Sequence, residues 1–424
     1  MSSAQEPRER VVFHVDVNSA YLSWAAAARL QMGNTLDLRT IPSVVGGDAE
    51  SRHGIVLAKS IPAKNCGIQT GEVLWQARQK CPHLVVVPPD YSLYMACHQA
   101  LLGVLHDFSS DVQVFSIDEA FLEYTGSEAL HGSAVEAAHR LKDRIRLELG
   151  FTVNVGIGPN KLLAKMAGEF SKPDKVHTCW EEEIPQKMWP LPVGELFGVG
   201  PATVPKLEKL NILTIGDLAH AADALLERHL KSYGFLIKAA ALGQEASLVG
   251  SEFRPPVKGI GNSSTIPFDV DTRKEAQLIL LSLCEMVCMR LRQTGLCARL
   301  VSVSIRTSDM GGRGHQRRMD AATDNTFRIY DTARQLFDEM WKGPGERIRN
   351  FGVRVSDLSL AGHMQLSVLQ PYSERHKKLD DVIDRLRFRY GTTAVQRAAF
   401  LASGIAPMMG GVPEEAYPVM TNML

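Results

Sequence analysis

Two stretches far apart in the chain constrain its fold more than any other feature: Val11–Tyr21, VVFHVDVNSAY, and Phe115–Leu122, FSIDEAFL. The first is an apolar, β-favouring run carrying Asp16. It turns polar at Asn18 and Ser19, which can cap a helix starting near Ala20. The second sets Asp118 and Glu119 side by side in another β-favouring run. Neighbours on a flat strand point to opposite faces, so both carboxylates can serve one site only if the backbone turns there. The pattern therefore predicts a hairpin with the acids near its bend. Gathered carboxylates repel one another, and their pKa values rise unless a cation compensates. Hard oxygen donors without His or Cys suit Mg²⁺. Two such ions, about 3.5–4 Å apart, can clamp the attacking and leaving oxygens of an in-line phosphoryl displacement. For arbitrary acids, one isolated buried Asp and a surface acidic pair is the plainer reading, and the surrounding sequence has to decide.

A length of 424 residues allows two to four domains with ample core. No apolar run is long enough to span a bilayer, and MSSAQEPRER has no signal-peptide apolar segment, so a cytoplasmic location is expected. With 47 basic and 47 acidic residues, a uniformly basic nucleic-acid coat is excluded, and any DNA binding must use segregated charge. The seven cysteines form no CxxC pair. Cys284 and Cys288, one helical turn apart in LILLSLCEMVCMRL, read as reduced core thiols rather than zinc ligands.

Along the chain, Tyr21–Gln31 reads as an Ala-rich helix, Asp90–Asp107 and His131–Gly150 as further helices, and Phe151–Gly158 as a strand. VVGGD reads as a turn beside a strand. GIGPNK has two glycines between strand and helix but lacks the third of a dinucleotide loop, and Pro159 is expected to start the helix. Lys161 and Lys165, at i and i+4, share one helical face, and Lys165 can be read as no more than a solvated charge. Leu191–Leu218 reads as helix, Gly-Val-Gly turn, then a helix from Pro201: a helix-hairpin-helix, whose free amides can face a DNA phosphate. Val199, Gly200 and Thr203 are the expected contacts. Gln244–Lys258, with two prolines, reads as a tether. Beyond it the order is strand, helix Thr272–Thr294, strand Arg299–Ser308, Gly-rich loop, strand His315–Asp320, helix Phe327–Lys342 and strand Ile348–Leu358. Leu379–Ala399 reads as a charged amphipathic helix, and Gly404–Leu424 as loosely ordered.

DVNSAY, SIDEAF and NVGIGPNKLLAKMAGEFSKPD resemble the Y-family (translesion) DNA polymerases of the DinB/UmuC class, over about Val11–Leu369 and in the family's motif order. The resemblance implies an α+β multidomain, right-handed polymerase. Its parts would be a palm (1–22 and 88–180), fingers (23–87), a helix-hairpin-helix thumb (181–245), a linker (246–258), a βαββαβ little finger (259–362) and a tail (363–424). By motif position Asp16, Asp118 and Glu119 would be catalytic and, with the Val17 carbonyl, hold two Mg²⁺ ions. Tyr21 would be the steric gate against ribonucleotides. Lys64 and Lys172 would meet the incoming triphosphate, with Lys165 a weaker candidate. Ile61 stands where the DinB pattern has Tyr, while Lys59 and Ser60 look more like the UmuC subgroup. Arg306, Arg317, Arg318, Arg349 and Arg354 would bind DNA phosphates. Gln365, Leu366 and Leu369 of QLSVL resemble the sliding-clamp-binding peptide. Expected partners are primer-template DNA, a dNTP and the clamp; a monomer with no membrane contact is expected. The activity implied is low-fidelity, template-directed addition of dNMP to a primer. The alternatives are a non-catalytic polymerase-like scaffold binding DNA and the clamp, disfavoured by the three acids, and a nucleotide cyclase, disfavoured by the thumb and βαββαβ patterns.

Overall fold

The computed structural model describes residues 10–47, 54–250, 257–361, 374–401 and 403–408, and the chain divides at 254/255 into two compact units. Gln365, Leu366 and Leu369 lie outside the described residues.

The first unit runs β1 (Val12–Val17), α1 (Ala20–Gln31), β2 (Ser43–Gly46), β3 (Val56–Lys59), α2 (Ile61–Asn65), α3 (Leu74–Lys80), β4 (Val85–Val87) and α4 (Tyr91–His106). It continues with β5 (Val112–Val114), β6 (Glu119–Glu123), α5 (Glu128–His131), α6 (Ala134–Leu149), β7 (Val153–Gly158), α7 (Lys161–Glu169) and β8 (Val176–Thr178). The short helices α8 (Ile184–Lys187), α9 (Val204–Glu208), α10 (Ile215–His220), α11 (Asp223–Leu230) and α12 (Ser232–Ala241) close it. A five-stranded sheet, order β5-β6-β1-β7-β8, is antiparallel except between β7 and β8. Phe13, Val15, Leu122 and Val155 of this sheet share a core with Leu101 and Leu105 of α4 and Leu141 and Ile145 of α6. A separate three-stranded sheet, β3-β2-β4, buries Val44 and Val56 against Ala63 and Leu74.

Helix α7 approaches β7 unusually closely, and glycine permits it. A Cβ on Gly156 would stand 2.0 Å from the Ala164 carbonyl oxygen, so any side chain there would push the helix away. The two glycines of GIGPNK thus serve helix–strand packing. Asn160, not Pro159, caps α7: its side chain accepts from the Leu163 amide at 2.9 Å.

Two other expectations change. The helix-hairpin-helix begins with a 3₁₀ turn at Val193–Glu195, and its second helix starts at Val204, because Thr203 and Val204 donate to the Gly200 carbonyl in a turn first. The start of the expected tether is fastened down. Val249 is buried with Val12, Phe115 and Phe121, and Arg10 donates to the Ser247 carbonyl at 3.0 Å.

The second unit runs β9 (Gly259–Val270), α13 (Arg273–Gln293), β10 (Leu296–Thr307), β11 (Gly312–Thr323), α14 (Thr326–Met340), β12 (Ile348–Leu360) and α15 (Glu374–Tyr390). Its sheet, order β11-β10-β12-β9, is fully antiparallel, with α13 and α14 on one face. Val301, Val303, Ile305, Phe351, Val353 and Val355 point into that layer, and the alternate residues form the open face. Cys284 and Cys288 are fully buried free thiols. The charged helix is α15, ending at Tyr390 rather than Ala399, and the chain after it is not loose up to Met408. Phe400 and Ile405 join the core, and Met408 packs on Met286 and Met289.

Candidate active site

Strand β1 is central in its sheet, so its C-terminal end is flanked on both sides. Asp16 lies directly opposite Glu119 on β6 and Asn154 on β7. Residues 115–118 form the bend between β5 and β6: the Phe115 and Ser116 amides both donate to the Glu119 carbonyl, and His98 Nδ1 donates to the Ile117 carbonyl at 2.7 Å. Val17 closes β1, its amide donating to the Asp118 carbonyl at 3.0 Å. The backbone thus draws Asp16, Val17, Asp118 and Glu119 to one sheet end.

Their side chains are each held by a different partner. Lys172 Nζ donates to Asp16 Oδ2 and to Glu169 at 2.8 Å. Ser116 Oγ donates to Asp118 at 2.5 Å, and Lys165 Nζ donates to Glu119 Oε2 at 2.7 Å. As they stand, no three His, Cys, Asp or Glu side chains among the described residues are grouped to hold a metal ion. Their chemistry nevertheless fits one: three hard carboxylates without His or Cys, two of them already neutralised by an ammonium.

Electrostatics separate the three acids. Burial pushes Asp16 up to about 7; the charges of Glu119 and Asp118 add to the rise, and Lys172 opposes it. Asp118 is also raised, by burial first and by Glu119, against the Ser116 hydrogen bond. Burial would raise Glu119 as well, but His14 and Lys165 together pull it down to about 2. Burial drops His14 to about 4, so near pH 7 its ring is neutral, and at 3.5 Å from Glu119 it forms no ion pair. The cation acting on Glu119 is Lys165.

Five residues in and around this site were not singled out from sequence, or were misread. Ser19, expected as a cap, sits in the left-handed region with no side-chain cap bond. Asn18 acts across the site instead: its Oδ1 accepts from Thr152 Oγ1 at 3.0 Å and from the Asp174 amide at 2.9 Å, and its Nδ2 donates to Asn154. Asn154 in turn donates to the Gly168 and Ser171 carbonyls. These two amides fasten the 171–175 loop to β1 and so place Lys172 beside Asp16. Lys165, expected on a solvated face, is buried; so is Lys161, which donates to Gln113 and the Leu248 carbonyl at 3.3 Å.

Tyr21 is the second residue of α1, its ring stacked on Tyr94 with centroids 4.3 Å apart and planes 11° apart. Lys64 is exposed on α2, which Ser60 caps, and Ile61 at its start is exposed too. In the thumb turn the Val199 and Thr203 amides are spent on the Leu196 and Gly200 carbonyls, at 2.9 and 2.8 Å. Among the described residues the Gly200 amide has no such acceptor.

In the second unit the register sorts the arginines. Arg354 pairs with Ser302 and Gly261, and Arg306 with Asn350, all on the open face. Around them Gly259, Ser263, Ser304, Gly314 and Gly352 make that face low and polar. Arg318, opposite Leu300, is also there but bound to Asp357 at 2.9 Å. Arg349 falls at the bulge where β12 shifts register. Arg317 is a correction: it lies opposite Val301 on the helix-covered face and bonds Gln335 and Glu339 of α14.

No helix among the described residues is long and apolar enough to cross a membrane. The impB/mucB/samB family model matches residues 15–169, its C-terminal domain 257–368 and its helix-hairpin-helix motif 181–212. The chain is similar to DNA polymerase IV of Clostridium acetobutylicum, 43% identical with 92% of this chain and 98% of the relative covered. It is also similar to DNA polymerase IV of Moorella thermoacetica (40%, covering 88% and 93%) and to DNA polymerase IV 2 of Bacillus subtilis (36%, covering 93% and 96%). A solved Y-family DNA polymerase chimera of Dbh and Dpo4 shares the fold, with a TM-score of 0.68 at 20% identity, covering 82% of this chain and 99% of that one. Matched along nearly its whole length, with the acids at one sheet end and a helix-hairpin-helix beside them, the chain belongs to the impB/mucB/samB family, the Y-family DNA polymerases.

Proposed function

We propose that the chain adds dNMP to a primer 3′-hydroxyl opposite a template base, with low fidelity and across damaged bases, using Asp16, Asp118, Glu119 and the Val17 carbonyl to hold two Mg²⁺ ions. The observation that carries this reading is the register that sets Asp16 against Glu119, with Asp118 in the adjoining bend and two lysines in reach. When bound, the ions would stabilise charge on the transferring phosphoryl group and align attack. Lys172 has three donors and only carboxylate partners here, so its ammonium is suited to meet the triphosphate, with Lys64 as a second cation. With Ile61 in place of a hydroxyl-bearing side chain, these lysines are the groups left to bind the outer phosphates.

Tyr21 is the proposed gate. Its stack on Tyr94 fixes the ring, and a fixed ring excludes a 2′-hydroxyl by contact. Duplex DNA would meet the Gly200 amide of the thumb turn and the open sheet face, where glycine and serine let a backbone approach and Arg306 and Arg354 supply charge. Arg318 and Arg349 would add charge at its edges. Clamp binding through Gln365, Leu366 and Leu369 rests on the sequence match alone. A cytoplasmic monomer fits this work.

Primer extension with Mg²⁺ tests the reading. Asp16→Ala or Glu119→Ala should cut incorporation by about a thousandfold while the DNA dissociation constant stays near that of the parent; extension at the parental rate refutes the assignment. Tyr21→Ala should raise ribonucleotide incorporation relative to deoxynucleotide by at least about tenfold, and unchanged discrimination would place the gate elsewhere.

A further inference from the structure

Lys165 is more elaborately housed than an ordinary ion-pair partner. Its Nζ lies 2.7 Å from Glu119 Oε2, 4.8 Å from the Phe115 ring centroid and 5.5 Å from that of Phe197. The two rings meet edge to face at 6.1 Å. Phe115 opens the hairpin bend that carries Asp118. Phe197 immediately precedes Gly198, which takes a φ of +95° in the thumb turn. A cleft of about 530 Å³, lined by Lys165, Glu169, Glu195, Phe197, Gly198 and Val199, runs past the ammonium.

If this position served stability alone, a methionine would fill the same aromatic enclosure without the cost of burying a charge. A lysine pays off only where its charge or its hydrogen bond acts on something. What it touches is one oxygen of Glu119; among the described residues Oε1 accepts no hydrogen bond. Lys165 therefore fixes the rotation of the carboxylate about its last bond and leaves one oxygen presented to the site. Because Phe197 belongs to the thumb turn, the same contact ties the setting of Glu119 to the segment that carries the Gly200 amide.

Resting on the polymerase reading above, we propose that Lys165 is a positioning residue: it holds Glu119 by one oxygen, and the Phe115–Phe197 enclosure of its ammonium links that hold to the thumb turn. The charge and the positioning have opposite consequences for metal binding, and this makes the idea testable. Removing a cation beside a ligand carboxylate strengthens cation binding, whereas losing the carboxylate's orientation slows the reaction.

The test uses the full chain with primer-template DNA. Single-turnover incorporation is measured with Mg²⁺, and Mn²⁺ affinity is measured by electron paramagnetic resonance in the complex with a dideoxy-terminated primer and dNTP. Lys165→Met should lower incorporation by about tenfold to a hundredfold while Mn²⁺ binds more tightly than in the parent. Phe197→Leu, which keeps the charge and loosens the enclosure, should lower incorporation about threefold, at the low end of such supporting-contact losses, with Mn²⁺ affinity unchanged. Parental incorporation by Lys165→Met overturns the proposal, and so does a joint loss of rate and Mn²⁺ affinity, which marks a collapsed site. Should Lys165→Met fail to fold, parental incorporation by Phe197→Leu overturns it instead. If the parent itself does not extend primers, it is the polymerase reading that fails.

Discussion

The molecule buries charge in two places, to opposite ends. At the sheet end in the first unit, Asp16 and Glu119 each hold one lysine, and their carboxylates keep unspent acceptor capacity. In the second unit, α15 and the segment after it lie on α13 through buried charges paired with one another, although Glu285 Oε2 stays buried without a partner. Glu285, 1% exposed, accepts from Arg387 at 3.2 Å and from Arg397 at 2.7 Å. Arg292 donates twice to Asp384, at 2.6 and 3.0 Å, and also to Thr326 and the Asp324 carbonyl. Asp380 accepts from Asn325 and from the Thr326 amide, both at 3.1 Å. A buried ion pair is costly to half-dismantle, because removing one partner strands the other charge. The second network is therefore a fastening. The first holds mobile cations, lysine ammoniums, on acids that a metal and a triphosphate can claim. What distinguishes the site from the joint is the cation held there: a flexible ammonium on one or two contacts, against a guanidinium spread over several.

The sharpest way to break this contrast is to remove one carboxylate from each cluster. Glu285→Ala leaves the buried Arg387 guanidinium without its carboxylate and should destabilise the protein by about 3–5 kcal/mol, read as a fall in the denaturation midpoint. Little change there would mean that the Glu285 pairs do not fasten this helix.

Asp16→Asn should do the reverse, stabilising the metal-free protein at neutral pH. The folded pKa of Asp16 is raised to about 7 from 3.8, so its favourable state is the protonated one. The parent therefore keeps full stability below about pH 4 and loses it as pH rises towards 7. The variant has no such loss, so its advantage in thermal midpoint should be absent near pH 4 and largest above pH 7. A constant difference across that range would show that burial does not set the titration of Asp16.

A smaller effect separates the arginines of one sheet. Arg354→Ala, on the open face, should lower the slope of log affinity for DNA against log salt by about 0.9. Arg317→Ala, bound to α14, should leave that slope unchanged and cost at most about 1 kcal/mol of stability. Equal slope changes would contradict the register-based division.

Much of the fold was legible because its signals are local. The hairpin at Asp118–Glu119 followed from two adjacent acids in a strand-forming run, and the βαββαβ order from alternating periods of apolar residues. Strand ends slipped by several residues, as at β11, because a polar strand with one exposed face carries little apolar pattern. The site was legible in its acids but not in their keepers. Nothing within a few residues of Lys165 indicates that glycine at position 156 would let α7 sink until its lysine face met Glu119. Asn18 looked like a helix cap because short polar side chains do cap helices; here nearer partners on β7 and the 171–175 loop outcompeted the helix for it.

Helix α15 shows where sequence stops deciding. Its spacing of Leu379, Val382, Leu386 and Tyr390 says that an amphipathic helix forms, and it does. The ordinary corollary, that this apolar face is buried, fails: Leu379 is 52% and Tyr390 64% exposed, while Asp380, Asp384 and Arg387 lie inside. By itself the sequence determined which segments are helix or strand and which acids could gather, since these depend on neighbours along the chain. Only the tertiary structure decided which face of α15 turns inward and which lysine reaches which acid, because those choices depend on charges such as Glu285 and Arg292, fixed on an element distant in the sequence.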